Sequence, residues 1–184
     1  PDEYQRAARS GAVAGICPST EANLGDGIFD MTAWRSQGGR WGIGSDSHAC
    51  VNAAEELMLL EYSQRLATRQ RNVLARDGEQ DVATAMTLDT VLGGAQASGR
   101  AIGGLALGQQ ADFVVLDAQH PLLRELPTPQ AMLSAHVFAS HRRSAVGGVW
   151  VGGRLRVHAG THPLAEETSQ AFIAARSELL SSEP

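Results

Sequence analysis

Residues Trp41-Gly42-Ile43-Gly44-Ser45-Asp46-Ser47-His48 constrain this chain more than any other stretch. A short apolar run leads to Gly44 and gives out onto a single carboxylate, Asp46, among small polar neighbours. Next, Asn52-Ala53-Ala54-Glu55 reads as a helix start, where Asn52 can accept from a free backbone N–H and Glu55 can reach back. The pattern predicts a buried strand whose last residue points Asp46 into a pocket, followed by a helix. That is a βα unit with chemistry at the carboxyl end of its strand. Taken alone, an Asp after a strand is more often a turn former or helix cap than a catalyst.

A second unit of the same plan lies upstream. Val13-Ala14-Gly15-Ile16-Cys17 reads as a buried strand that breaks at Pro18, which cannot donate to a ladder. Ser19 to Gly27 then reads as a polar, Gly-containing loop. Two consecutive βα units would present Glu21, Asn23, Asp26 and Asp46 on one side of a parallel sheet, the spacing being right for a βαβ crossover.

The remaining elements are read from periodicity and punctuation. Residues 1–10 read as a short helix, with Pro1 near its start, Asp2 and Glu3 in its first turn and Gly11 after it. A helical piece spans about Met31–Gln37, and Arg40–Gly44 is the second strand. A long helix is predicted from Ala53 to about Arg71, with Leu57, Leu60, Tyr62 and Leu66 as its apolar stripe and Glu61–Arg65 as an i, i+4 pair. Arg69, Arg71 and Asn72 are weaker candidates to approach the pocket. Val82–Met86 reads as a short helix, and Thr87 as the cap of another, Leu88–Ser98. From Leu105 the period shortens. Asp112–Asp117 reads as a strand, Pro129 starts a short helix, and Gly152-Gly153 joins strands 144–151 and 154–157 as a hairpin. Pro163–Leu180 reads as an amphipathic helix with Phe172, Ile173 and Leu179 or Leu180 facing inward. The resulting divisions are 1–103 (βα units), 104–160 (a partial β domain) and 161–184 (the terminal helix).

Composition narrows the function classes. Hydrophobic residues at 43% and charged residues at 19% suit a soluble globular protein. A net charge of -5 argues against a nucleic-acid partner, and the Arg142-Arg143 pair reads as a solvated loop edge. No apolar run approaches the roughly 20 residues of a membrane span. Cys17 and Cys50 are too few for a disulfide framework and read as small buried fillers, with a cytoplasmic location as the natural inference. None of the six histidines forms a His-x-His pair.

The run Cys17–Phe29 (CPSTEANLGDGIF), with GIGSDSH at 42–48, EELMLLEYSQRL at 55–66, ADFVVLD at 111–117 and VWVGGRLRV at 149–157, resembles the amidohydrolase superfamily. Within it, the TEANLGDG wording resembles the iminohydrolases that act on N-formimino-L-glutamate. Guanine-deaminase-like aminohydrolases share the Cys-Pro strand end and the Ser-Asp pair.

The resemblance implies an α/β fold: the last two βα units of a TIM-like (β/α)8 metal-dependent hydrolase barrel, part of a small β-sandwich and a C-terminal helix. It implies that Asp46 is both the last ligand of one divalent ion, zinc, and a proton-transfer group. The other ligands, and the cations that would grip the substrate's carboxylates, would lie upstream of Pro1. Glu21, Asn23 and His48 become candidate substrate-binding residues, with Asp26 a weaker one. The turn-forming reading of 23–27 stays open, as does a loop role for His48. His120, His136, His141, His158 and His162 read as structural or surface residues. The implied partner is a small molecule, with room for a homodimer. With one carboxylate of a zinc site, the chain by itself should be inactive and bind no zinc tightly. A non-catalytic interaction module is the reading from a different class.

Overall fold

Two short apolar runs set the frame of the structure, a computed structural model that describes residues 2–76, 78, 81–140 and 144–181. Pro1, His141 and the Arg142-Arg143 pair lie outside the described residues. Strand β1 (Val13–Ile16) pairs in parallel with β2 (Arg40–Ile43), with Val13 opposite Arg40 and Ile16 opposite Ile43. The Gly44 N–H donates to Ile16 O at 3.0 Å, carrying the ladder one residue past β2. Helix α1 (Asp2–Arg9) precedes the pair.

The segment after Pro18 is not the open loop that its composition suggests. It folds at once into α2 (Pro18–Leu24). Pro18 sits in the first turn, where its fixed φ fits and its missing N–H costs nothing. Glu21 Oε1 accepts from Cys17 N–H at 2.8 Å and supports the start. The proline therefore ends the strand by beginning a helix. Helix α3 (Met31–Ser36), capped by the Asp30 side chain accepting from Ala33 N–H, completes the crossover. Its Trp34 packs edge-on to Tyr4 and Phe29, at 5.3 and 5.7 Å between ring centroids, which ties α1 to α3.

Helix α4 (Ala53–Thr68) starts as expected, with Asn52 Oδ1 accepting from the Ala54 and Glu55 amides. Its inner face differs from the predicted stripe. Leu57 and Leu60 are buried, but Tyr62 and Leu66 are 37% and 79% exposed, while Glu56, Glu61 and Gln64 are buried. Besides packing on α6 and α2, helix α4 faces loop segments whose backbone groups need partners once water is excluded. Glu61 accepts from the Val73 and Leu74 amides at 3.1 and 3.0 Å and from Arg65 Nε at 2.6 Å. Gln64 donates to Phe29 O at 2.8 Å and accepts from Met31 N–H at 3.3 Å. Arg69 caps the helix in a left-handed conformation. Both Arg69 and Arg71 are exposed, and Asn72 accepts from Arg65.

One helix, α5 (Val82–Ser98), replaces the expected two. Asp81 is the true cap, accepting from Thr84 N–H at 2.8 Å, and Thr87 lies mid-helix. The helix lies directly on β2: Ile43 N–H donates to Thr90 Oγ1 at 3.1 Å, and Gly93 brings the helix backbone against the Trp41 carbonyl.

Three strands form a separate antiparallel sheet in the order β3 (Phe113–Leu116), β4 (Val146–Val151), β5 (Arg154–His158). The hairpin falls on Gly152-Gly153, at φ of 58° and 73°, the double positive φ that a type I′ turn requires. Phe113 and Trp150, opposite in register, stack at 4.8 Å. Between β3 and β4 the chain leaves the sheet for α6 (Pro129–Ala139), which returns to α4 and α5. There Phe138 stacks on Tyr62 at 5.8 Å, and Ser134 donates to Asp81 at 2.6 Å.

Helix α7 (Ala165–Ser181) corrects the last expectation: every described residue is exposed, Phe172 at 62% and Ile173 at 46%. An amphipathic pattern names a face to bury, not a surface that buries it. No described helix is long and apolar enough to cross a membrane.

The approach of α5 to β2 yields a paired test. A Cβ at residue 93 would collide with the Trp41 carbonyl, whereas one at residue 94 meets open space. Gly93→Ala is expected to cost about 3 kcal/mol or more by urea denaturation. Gly94→Ala should stabilise by up to about 1 kcal/mol through helix propensity.

Candidate functional site

Because β1 and β2 are parallel, their carboxyl ends open on the same side, and the segment leaving each strand becomes a neighbour of the other. After β1 come Cys17 and the first turn of α2. After β2 come Gly44 and a β-turn in which His48 N–H donates to Ser45 O at 2.9 Å. Asp46 is the second residue of that turn, at φ 48°, in the left-handed region found at this position in primed turns. It is therefore not the last residue of the strand. It lies three residues past Ile43, with an exposed side chain. The ladder ends at Gly44, and the turn lifts the carboxylate clear of the sheet. Asp46 does not line either of two surface hollows, one of about 390 Å³ beside Tyr4 and Asp30 and one of about 580 Å³ against Val115, Trp150 and Leu155.

The half-buried Cys17 thiol marks the centre of this end of the sheet. Burial pushes its pKa above the ordinary value, and the negative charges of Asp46, Glu21 and Glu56 add to the rise. A Cβ on Gly44 would sit 3.4 Å from Cys17 Sγ, so the thiol lies against the strand end that feeds the Asp46 turn. Carboxylates from α2, the Asp46 turn and α4 thus all act on the Cys17 thiol.

Their roles differ. Glu56, 2% exposed, has both oxygens engaged: Oε2 accepts from Ser19 N–H at 2.9 Å and Oε1 from Ser19 Oγ. It fixes the first turn of α2 to α4. Glu21 is half-buried and bonded to Cys17 N–H, a local capping bond at the start of α2. Of the three, Asp46 has its side chain exposed.

Asn23 and Asp26 are exposed around the end of α2, where the Gly25 and Asp26 amides both donate to Glu21 O. Asn23 lies on the last turn of α2, and Asp26 just past its Gly25 cap. His48 is half-buried two residues beyond Asp46, and its Nδ1 accepts from Cys50 N–H at 3.1 Å. His120 and His162 each use Nδ1 in the same way, toward the Leu122 and Leu164 amides. Burial, with His120 nearby, lowers the pKa of His136. Cys50 is exposed, not the buried filler expected, because it lies in the loop before α4 and not at a strand end.

Sequence reasoning missed Glu56 and Thr20. The signal for Glu56 was present: with Leu60 and Gln64 it forms an i, i+4, i+8 row on one helix face. Thr20 gave none, because its position depends on α2 being a helix.

Among the described residues, no three His, Cys, Asp or Glu side chains are grouped to hold a metal ion. Asp46, beyond the carboxyl end of β2, presents an exposed carboxylate, a donor suited to one position on a divalent ion.

Residues 1–156 match the Amidohydrolase family. The chain is 48% identical over 180 residues to the formimidoylglutamate deiminase of Pseudomonas aeruginosa, covering 98% of this chain and 39% of that protein. It superimposes on a crystal structure of an amidohydrolase from Brucella melitensis with a TM-score of 0.87 at 43% identity, covering 97% of this chain and 39% of that one. An adenosine deaminase from Xanthomonas campestris with bound zinc shares the fold, at TM-score 0.77 and 20% identity over 95% of this chain and 38% of that one. The chain thus spans about two fifths of the length of these proteins.

The convergence on Cys17 can be read by alkylation. Exposed Cys50 should react with iodoacetamide roughly tenfold faster than Cys17 near neutral pH. Asp46→Asn should speed Cys17 labelling and leave Cys50 unchanged, as followed by mass spectrometry of the two peptides.

Proposed function

The chain belongs to the amidohydrolase family, and from that premise we propose that it is the C-terminal part of a metal-dependent hydrolase of non-peptide C–N bonds. In this reading, β1 and β2 are the last two strands of a (β/α)8 barrel, the β3–β5 sheet is part of a small β-sandwich, and the substrate is N-formimino-L-glutamate. The observation that carries the reading is the exposed carboxylate of Asp46 at the carboxyl end of the barrel strand. The 48% identity to a formimidoylglutamate deiminase supports the substrate.

The reaction adds water to the formimino carbon and releases ammonia, leaving N-formyl-L-glutamate. A divalent ion, zinc by analogy with the zinc-containing Xanthomonas structure, when bound lowers the pKa of water to roughly 7 and polarises the carbon under attack. Asp46 supplies one ligand, and residues outside this chain supply the rest. The carboxylate of Asp46 takes one proton from the attacking water and passes it to the departing nitrogen of the cationic group, so the C–N bond breaks with neutral ammonia leaving and the remaining hydroxyl proton is released as the formyl C=O forms. Glu21, beside it, offers negative charge to a cationic formimino group. His48 lines the same rim, and Asn23 stands further out on α2. The ligand is a small molecule, and a homodimer in the cytoplasm is the setting in which we place the enzyme.

Ammonia release by the native polypeptide that carries this segment is the direct test. Activity on formimino-glutamate is expected, and Asp46→Asn should lower kcat by roughly 10³-fold. Release from guanine instead would move the assignment to that branch. Silence on both, with the polypeptide intact, would favour the interaction module. The 184-residue chain alone should bind zinc no more tightly than micromolar in calorimetry, since a catalytic zinc takes about three protein ligands. A stoichiometric nanomolar site there would overturn this division of ligands.

A further inference from the structure

We propose that Thr20 is a positioning residue for Asp46, acting through the backbone of the turn that carries it. The inference rests on the reading of Asp46 given above. Thr20 is 3% exposed and lies in the first turn of α2, in the neighbouring βα unit. Its hydroxyl donates to Ser45 O at 2.6 Å and accepts from His48 N–H at 3.1 Å. Those are the first and fourth residues of the Asp46 turn. One oxygen from another element therefore grips both ends of the turn at its base, with its single donor and an acceptor lone pair both used.

The turn does not need Thr20 to close. His48 N–H already donates to Ser45 O at 2.9 Å. What the hydroxyl adds is attachment. A four-residue turn closed only on itself can swing about its two stems, and a carboxylate at its corner swings with it. Tied to α2, the turn has one orientation relative to β1, and the left-handed backbone of Asp46 then fixes the direction of its Cα–Cβ bond.

The attachment point is itself fixed. Ser19, the residue before Thr20, is held through its amide and hydroxyl by buried Glu56 of α4. The chain that leaves α2's first turn at Ser45 is back on it at Glu56. Valine at position 20 would fill nearly the same volume and lose both bonds, so it separates the hydroxyl from the packing.

The test uses the native polypeptide carrying this segment, with Thr20→Val and Thr20→Ser. Two measurements are made: amide hydrogen exchange at His48, and steady-state kinetics on formimino-glutamate. In Thr20→Val, exchange at His48 should rise about tenfold, and kcat should fall about 10- to 100-fold with KM within about threefold, the size expected for misplacing a reacting group by about 1 Å. Thr20→Ser should stay within about threefold of the parent in both. Unchanged exchange and kcat in Thr20→Val would overturn the proposal. So would a Thr20→Ser variant as impaired as Thr20→Val, since the lost methyl and not the hydroxyl would then matter. If the parent does not hydrolyse formimino-glutamate, the assigned function fails while the exchange data still decide whether Thr20 holds the turn.

Discussion

Carboxylates taken out of water must find donors, and the frame around the candidate site is arranged by that requirement. Helix α4 buries Glu56 and Glu61 along with Leu57 and Leu60. Each acid collects backbone N–H groups from a segment that has no ladder or helix partner for them: Ser19 for Glu56, Val73 and Leu74 for Glu61. The interaction is reciprocal. The amides satisfy the acids, and the acids fix the segments that carry them. Removing either acid would strand buried amides as well as lose a bond, which is the costly side of hydrogen-bond energetics.

The same logic explains why the site sits on a firm base despite its short strands. Four-residue β1 and β2 would make a weak parallel pair alone. Here the pair is backed by α5, with glycine allowing backbone contact at Trp41, and its carboxyl end is tied together by Thr20 and Glu56. Asp46 can then be exposed and left-handed without being loose. In the reading proposed above, both properties suit a carboxylate that meets a small-molecule ligand.

The parts of this architecture legible in the sequence were those with local causes. The two strands were marked by apolar runs ending at Pro18 and Gly44, the α4 start by Asn52, and the hairpin by Gly152-Gly153. Asp46 stood out as a residue, but its turn did not, because positive φ at an Asp leaves no composition mark. Helix α2 was hidden since Pro18 and the glycines beyond it look like a loop, although the proline and Glu21 together begin a helix. Thr87 resembled a cap more than Asp81 did, and only the continuous packing of α5 on β2 decides between them. Burial on α4 was misjudged because polar side chains were assigned to water, whereas loop amides were waiting for them.

Helix α7 differs from all of this in how it is held together. Its residues are exposed along the described length, and local bonds there include Ser169 Oγ to Ala165 O, Gln170 to Glu166, and the Arg176 guanidinium over the Phe172 ring at 5.3 Å. On its own turns alone, a helix of 17 residues is near the margin of stability in water. Where its own turns are its main support, its ends should fray gradually on warming, ahead of the α4–α5 core. A helical signal from this chain would then record two transitions, one broad and one sharp, and only the sharp one would report on the part that carries Asp46.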